Sequence, residues 1–404
     1  MAKPMLSLLD VHVRRGMGLV LAGCSVNVAP GQTVVLTGAN GAGKSTMLES
    51  ALGLLPLEQG RVLHDATTVI DDEGRRRSSP LTVGTVLQKN GMLGSEVVAE
   101  HLHCAMAMSG STVNTEPFLE AFNLAHRAND MVAHLSQGQA RKVAVLAGLL
   151  PAFASSTPAL VLMDEPDAGL DDASVEVLCG WLDQLRGSGH AVLLATHDQR
   201  LMDRATHTVD VGESTVMPAA APPEVLPSDH QRTPARPIRP AAWGLNMHLR
   251  TLMWLNTNGM AGLLSLGVLL AMGSFMDGLD EMQQLGFILA PTMAVGLCGE
   301  PLVNALREER TAAWWRAVSG GEPHAGWLPF ALGLIMTLLT ATALQGVPAL
   351  ETLIVGSALC GTVWHGVGWM QRSTQRLARP QAVFVGLLSP VLILPYSLLL
   401  SVLS

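Results

Sequence analysis

Residues 38–45 read Gly-Ala-Asn-Gly-Ala-Gly-Lys-Ser and stand directly behind the short apolar run Thr33–Leu36. No other stretch constrains the fold so tightly. The glycines let successive backbone N–H groups converge on one point with no Cβ in the way. A helix beginning near Lys44 aims the positive end of its dipole at the same point. Strand, glycine turn and helix N-terminus in that order make a cradle for phosphate oxygens. Lys44 then sets a point charge against the β- and γ-phosphates of a nucleotide, and Ser45 offers a hydroxyl to Mg2+.

Two more apolar runs, Leu160–Met163 and Ala191–Ala195, are equally brief and lead into polar residues. Short buried strands alternating with helical patterns over residues 1–215 predict a parallel sheet covered on both faces, an α/β P-loop NTPase domain. Behind Leu160–Met163 come Asp164, suited to hold Mg2+ through water, and Glu165, suited to polarise an attacking water. Phosphoryl transfer needs positioning and charge neutralisation more than covalent help, so these parts suffice.

The rest of the chain has another character. Residues 216–243 contain Pro218, Pro222, Pro223, Pro227, Pro234, Pro237 and Pro240, which predicts an extended, semi-stiff linker with no core. Residues 251–276, 282–299, 323–350, 352–371 and 380–404 then hold no Asp, Glu, Lys or Arg. A bilayer core needs ~20 helical residues to cross it, and a charge at its centre costs at least ~2.5 kcal/mol. These gaps predict an all-α transmembrane domain over residues 244–404 with about five spans, at 251–276, 282–299, 325–346, 350–371 and 380–404. Pro390 and Pro395 make the last either one kinked span or a re-entrant pair, and a single kinked span is the expectation.

Basic residues orient the spans. Arg250, then Arg307, Arg310 and Arg316, then Arg372, Arg376 and Arg379 fall in alternate loops, and the intervening loops carry only Asp277, Asp280, Glu281 and Glu351. Positive loops face the cytoplasm, and Trp243, Trp254, Trp314, Trp315, Trp327, Trp364 and Trp369 lie at or near the same interface. The N-terminal stretch is too broken for a signal peptide, so the first domain is expected in the cytoplasm. The net charge of −8 offers no basic face to nucleic acid. Cys24, Cys104, Cys179, Cys298 and Cys360 form no CxxC pair and read as buried thiols. Among the polar residues inside the spans, Asn256, Asn258, Thr292, Thr337, Thr340 and Thr342 read as hydrogen-bonding glue, with His365 the one candidate ligand.

The motifs now resemble those of the ATP-binding-cassette (ABC) ATPase family, in family order and over about half the chain. Leu135-Ser136-Gln137-Gly138-Gln139 is similar to the signature sequence, with Gln137 its one departure from the commonest form. Gln88 resembles the Q-loop glutamine, Ala168-Gly169-Leu170-Asp171 the D-loop, and His197 the switch histidine. The resemblance implies ATP and Mg2+ as ligands, with Gly38, Asn40, Gly41, Ala42, Gly43, Lys44, Ser45 and Thr46 around the nucleotide. Ser45, Gln88 and Asp164 would hold the metal. It implies Glu165 as catalytic base and His197 as γ-phosphate sensor. Ser136, Gly138 and Gln139 would reach the nucleotide of a second copy, so a homodimer is implied.

Leu306–Trp314 resembles the acidic cytoplasmic loop of type-2 exporter membrane domains, where a short coupling helix docks on the ATPase. The family domain usually has six spans. This likeness implies a half-transporter in the bacterial inner (plasma) membrane, exporting a small hydrophobic or amphipathic substrate. Two alternatives stand beside it. The ATPase half also resembles the haem-exporter ATPase of cytochrome c maturation, under which His365 bears on haem. Otherwise the chain is a membrane-tethered ATPase that reshapes partner proteins. The family often stacks adenine on an aromatic residue before the phosphate loop, yet residues 1–117 contain no Phe, Tyr or Trp. Arg14, Arg15 and Met17 are the available substitutes. Weak base selectivity is therefore predicted: GTP should be turned over at a rate comparable to ATP, and a strong preference for ATP in a steady-state assay would refute this.

Overall fold

The computed structural model describes residues 3–212, 215–218, 230–272, 278, 281–373 and 385–387. Two compact units account for the chain: Met1–Pro240 with Leu306–Glu322, and Ala241–Ala305 with Pro323–Ser404. The first unit begins with β1 (Leu6–Arg15), β2 (Gly18–Val28), β3 (Thr33–Thr37), α1 (Lys44–Ala51), β4 (Gln59–His64), β5 (Thr67–Asp71) and β6 (Val83–Val86). Next come α2 (Val98–Ala107), β7 (Ser111–Thr112), α3 (Glu116–Ala121), α4 (Gln137–Ala154), β8 (Leu160–Asp164) and α5 (Asp172–Gly187). After β9 (Ala191–Ala195), α6 (Gln199–Met202), β10 (His207–Asp210), β11 (Thr215–Pro218) and β12 (Thr233–Pro234) the chain is helical. Its helices are α7 (Pro240–Thr251), α8 (Met260–Ala271), α9 (Glu281–Leu297), α10 (Val303–Glu308), α11 (Thr311–Ser319), α12 (Leu328–Leu344) and α13 (Leu350–Ser373).

The predicted runs become the central strands. β8 and β9 are buried at every position and β3 at its first four, as parallel strands covered on both faces must be. They lie in the order β11-β10-β3-β9-β8-β6, parallel except at β11. β1 alternates buried and exposed positions instead, and pairs antiparallel with β2 and β4 in a second sheet. The register sets Leu36 against Ala195 and Ala195 against Asp164. The loops leaving β3, β8 and β9 therefore open on one edge, where ligands of open parallel sheets collect. Helix α4 packs on β6 at glycine: a Cβ at Gly84 would overlap the Gly148 carbonyl.

The segment expected as a free linker is partly folded. β11 pairs with β10, and β12 adds a short rung to β7, with Thr233 opposite Thr112. The Ala235 N–H donates to the Gly110 carbonyl at 2.9 Å. His230 rests on Phe118 and Phe153, ring centroids 5.2 and 5.3 Å away. An open strand edge and an aromatic hollow gave these residues partners that composition does not reveal. Helix α7 already starts at Pro240, inside the predicted linker; residues 219–229 lie outside the described residues.

The second unit is helical. Among the described residues, Leu350–Ser373 is the one helix long and apolar enough to cross a bilayer. A second is counted if Pro240–Thr251 and Leu255–Ala271, bent by 63°, form one span. The bend comes from Leu252, at φ 51°, and a π-turn at Leu255–Gly259. The predicted spans 282–299 and 325–346 hold the shorter apolar helices Gln283–Leu297 and Leu328–Leu344. The predicted span 380–404 lies outside the described residues except at 385–387. Thr292 and Thr337 meet hydroxyl to hydroxyl at 2.8 Å, and the Asn258 amide donates to the Val295 and Gly299 carbonyls at 2.9 Å. Thr340 and Thr342 instead bond carbonyls of their own helix. All five cysteines are buried thiols.

Two histidines make the first unit sensitive to acid. Burial pushes His64 and His190 down to about 4. His190 Nδ1 accepts the Ala159 N–H at 2.9 Å, which requires an unprotonated ring nitrogen. With folded values below the unfolded ~6.5, their stabilisation is complete above that pH and lost as pH falls towards 4. At pH 5 each should cost on the order of 2 kcal/mol. Thermal unfolding of the full chain from pH 7.5 to 5 checks this, and His190→Gln, which keeps an acceptor without titrating, should flatten the slope.

Candidate functional site

The turn between β3 and α1 has Gly38, Gly41 and Gly43 at φ 130°, 84° and 105°, a region closed to most side chains. Gly43 caps α1 with its backbone; a Cβ there would stand 3.0 Å from Leu21 and 3.1 Å from Val20. The Ala42 N–H donates to Ala39, closing the turn. Lys44 is buried, and its Nζ donates to the carbonyls of Gly38 at 2.7 Å and Ala39 at 3.2 Å. A cleft of about 460 Å³ lies over the turn, lined by Asn40, Gly41, Gly43, Lys44, Ser45 and Thr46. Val20, Gln88 and Glu165 complete its wall.

Asp164 ends β8 beneath this cleft, and the Ser45 hydroxyl donates to its Oδ1 at 3.1 Å. Burial raises the carboxyl above its ordinary value; the Ser45 hydrogen bond opposes this, and the negative charges of Glu165 and Glu49 add to it. A hydroxyl and a carboxylate converging at the mouth of a glycine cradle fit Mg2+, a hard cation that takes oxygen ligands. Glu165 is held at φ 47°, the strained left-handed region, by its N–H to the Ala195 carbonyl at 2.9 Å.

Arg141 was not anticipated from the sequence. Its guanidinium is buried and donates to the carbonyls of Leu87 at 2.7 Å, Asp164 at 2.7 Å and Glu165 at 2.6 Å. One fork thus ties the chain before Gln88 to the end of β8. A charged residue amid the apolar face of α4 was the signal available. Val20 was also missed. Of the proposed adenine partners, Arg14 is paired with Glu58 at 2.6 Å and Arg15 with Glu49 at 2.5 Å, while Met17 is 96% exposed. Both guanidiniums are held in ion pairs through their N–H edges and stay about half exposed.

Ser136, Gly138, Gln139, His197 and Asp171 do not line the cleft. Ser136 caps α4: it accepts the Gln139 N–H at 3.2 Å while Gln139 Oε1 accepts the Ser136 N–H at 3.0 Å, a capping box. Gly138 lies beside them on the first turn, close to the Gly169 carbonyl. His197 is exposed after β9, in a loop framed by Thr196, whose hydroxyl donates to Asp167 at 2.7 Å. Asp171 caps α5, and its hydrogen bond from the Lys142 ammonium, at 2.7 Å, holds its carboxyl well below the usual range.

The sequence profile of ABC transporters matches residues 21–168. A putative ABC transporter ATP-binding protein of Halobacterium salinarum is 33% identical over 202 residues, 48% of this chain and 84% of its own length. The chain belongs to the ABC transporter ATPase family. The cytochrome c biogenesis ATP-binding export protein CcmA of Bordetella parapertussis is 36% identical over 176 residues, 43% of this chain and 75% of its own. The macrolide export ATP-binding/permease protein MacB of Hyphomonas neptunium is 27% identical over 269 residues, 62% of this chain and 41% of its own. A solved ATP-binding subunit of an ABC transporter shares 26% identity at a TM-score of 0.44, over 52% of this chain and 87% of that one. As an ABC ATPase, the chain binds and hydrolyses ATP and is the ATP-binding component of a transporter.

Arg141→Ala would strand three buried carbonyls. It should cost about 2–4 kcal/mol and lower ATP turnover at least about tenfold through the loosened Asp164–Glu165 backbone. Chemical denaturation and steady-state ATPase assays of the full chain check both, and Arg141→Lys, lacking the fork, should recover little.

Proposed function

We propose that this protein is a homodimeric half-transporter exporting a hydrophobic or amphipathic substrate across the bacterial inner membrane. One observation carries the reading: Leu306–Glu322, inside the apolar second half of the sequence, packs as part of the ATPase unit. Trp314 and Trp315 are almost wholly buried there, and the Gly91 N–H, three residues past Gln88, donates to the Glu309 carbonyl at 3.1 Å. Support for lipid comes from the helices themselves. Leu263, Leu270, Ile335, Leu339, Ile354 and Val355 are outward-facing and between 46% and 57% exposed, a surface suited to acyl chains.

In this reading the amides of residues 38–45 bind the phosphates and Lys44 neutralises them. Ser45, Asp164 and Gln88 would hold Mg2+, which would supply charge neutralisation for the phosphates. Glu165 orients water and takes its proton as the water oxygen attacks the γ-phosphorus. The bridging oxygen then leaves with ADP. Ser136 and Gly138, outside their own cleft, serve the nucleotide of the second copy, with Gln139 holding the cap. His197 senses the γ-phosphate from its loop once the two copies close.

A second reading makes the cargo haem. The similarity to CcmA favours it, as does the approach of His324 and His365, ring centroids 5.9 Å apart in the helical unit. Haem absorbance in the purified chain, and ATPase activity stimulated by haem, would support this cargo over others.

Glu165→Gln tests the catalytic assignment. Turnover should fall about 100-fold or more, and an ATP-bound dimer should accumulate in size-exclusion chromatography. Full activity in that variant would remove Glu165 from its role.

A further inference from the structure

Glu49 is not part of the predicted site, yet it lies one helical turn beyond Ser45 on α1 and shares its face. Its carboxylate is mostly buried and divided between two arginines, with Arg15 on Oε2 and Arg310 on Oε1, each at 2.5 Å. Arg310 comes from the far segment of the same unit. It stands at φ 61° as the N-cap of α11, a strained backbone for a residue with a Cβ.

This segment already has an anchor that needs no charge. Trp314 is buried against Gly91 and 5.0 Å from the His101 ring. His101 is itself fixed by Glu96, whose second oxygen accepts the Leu93 N–H. The Arg310–Glu49 pair is thus not needed to attach the segment. Arg310 sets a second positive charge on a carboxylate that Arg15 already pairs, about 6 Å along the helix axis from Ser45.

We propose that Arg310 tunes nucleotide affinity by adding a second positive charge beside the Arg15–Glu49 pair, so that seating of the 306–322 segment is read at the phosphate end of the cleft. The inference rests on the assignment of Lys44 and Ser45 to the phosphates and metal. With Arg310 seated, Arg15, Glu49 and Arg310 sum to one positive charge. With Arg310 withdrawn they sum to zero, and the polyphosphate loses attraction. By linkage, bound ATP favours the seated segment to the same degree.

The test is a double-mutant cycle on the full chain, reading KM for MgATP separately from kcat. Unit charges about 8 Å apart at an effective dielectric of ~20, partly screened, move such a constant about three- to tenfold. Arg310→Ala should raise KM by that factor, with a smaller change in kcat and a diminished effect at high salt. Glu49→Gln should lower KM. The double variant restores the sum of one positive charge and should return KM to near its starting value, and Arg310→Lys should hold it there.

A double variant as impaired as Arg310→Ala, or single variants shifting KM in the same direction, would show that Arg310 acts only as a mechanical anchor and overturn the proposal. If Arg310→Ala fails to fold, Glu49→Gln alone decides: an unchanged or raised KM refutes the charge mechanism. Loss of the underlying site assignment would show separately, as unimpaired MgATP binding and turnover in Lys44→Ala.

Discussion

The nucleotide edge of this protein depends on a buried guanidinium. Parallel strands end in carbonyls that no neighbouring strand can satisfy, and burying them unpaired is costly. Arg141 answers three of them at once, at Leu87, Asp164 and Glu165. Only an arginine has the planar fork to do so. The register of β3, β8 and β9 brings the phosphate turn and the two carboxylates to one edge, and Arg141 fixes the height at which they meet. The strained backbone of Glu165 survives because its N–H and C=O are both engaged.

How much of this was legible in the sequence depended on separation along the chain. The phosphate turn was readable because its chemistry sits in contiguous residues: three glycines with positive φ, a lysine and a serine, after a strand buried by its own apolar run. The α/β order was readable for the same reason. Arg141 was not, because its partners lie 23 to 54 residues away and its own neighbourhood reads as an ordinary helix. The Arg310–Glu49 pair spans 261 residues. The fold of residues 230–235 was hidden because prolines describe what a segment cannot do alone, and say nothing of a vacant strand edge beside it.

In the helical unit, composition marks where charge is absent and leaves open where helices begin and end. The run 251–276 is uncharged, yet its helix is broken at Leu252 by a left-handed residue and loosened by a π-turn. Threonines that look alike in sequence diverge in use: Thr292 and Thr337 join two helices, with Thr337 also donating to its own Gly333 carbonyl, whereas Thr340 and Thr342 bond back to their own helix. Which of these a threonine does is decided by the facing helix, and that is tertiary information.

The inclusion of Leu306–Glu322 in the first unit has a consequence for how such a molecule is built. Trp314 fills a hollow beside Gly91 and His101, more than 200 residues earlier in the chain. A cassette made without the later half of the chain would emerge from the ribosome with that hollow bare and a taste for stray apolar segments. Carried in cis on the same polypeptide, the 306–322 segment fills that hollow at a fixed one-to-one ratio to the cassette it covers.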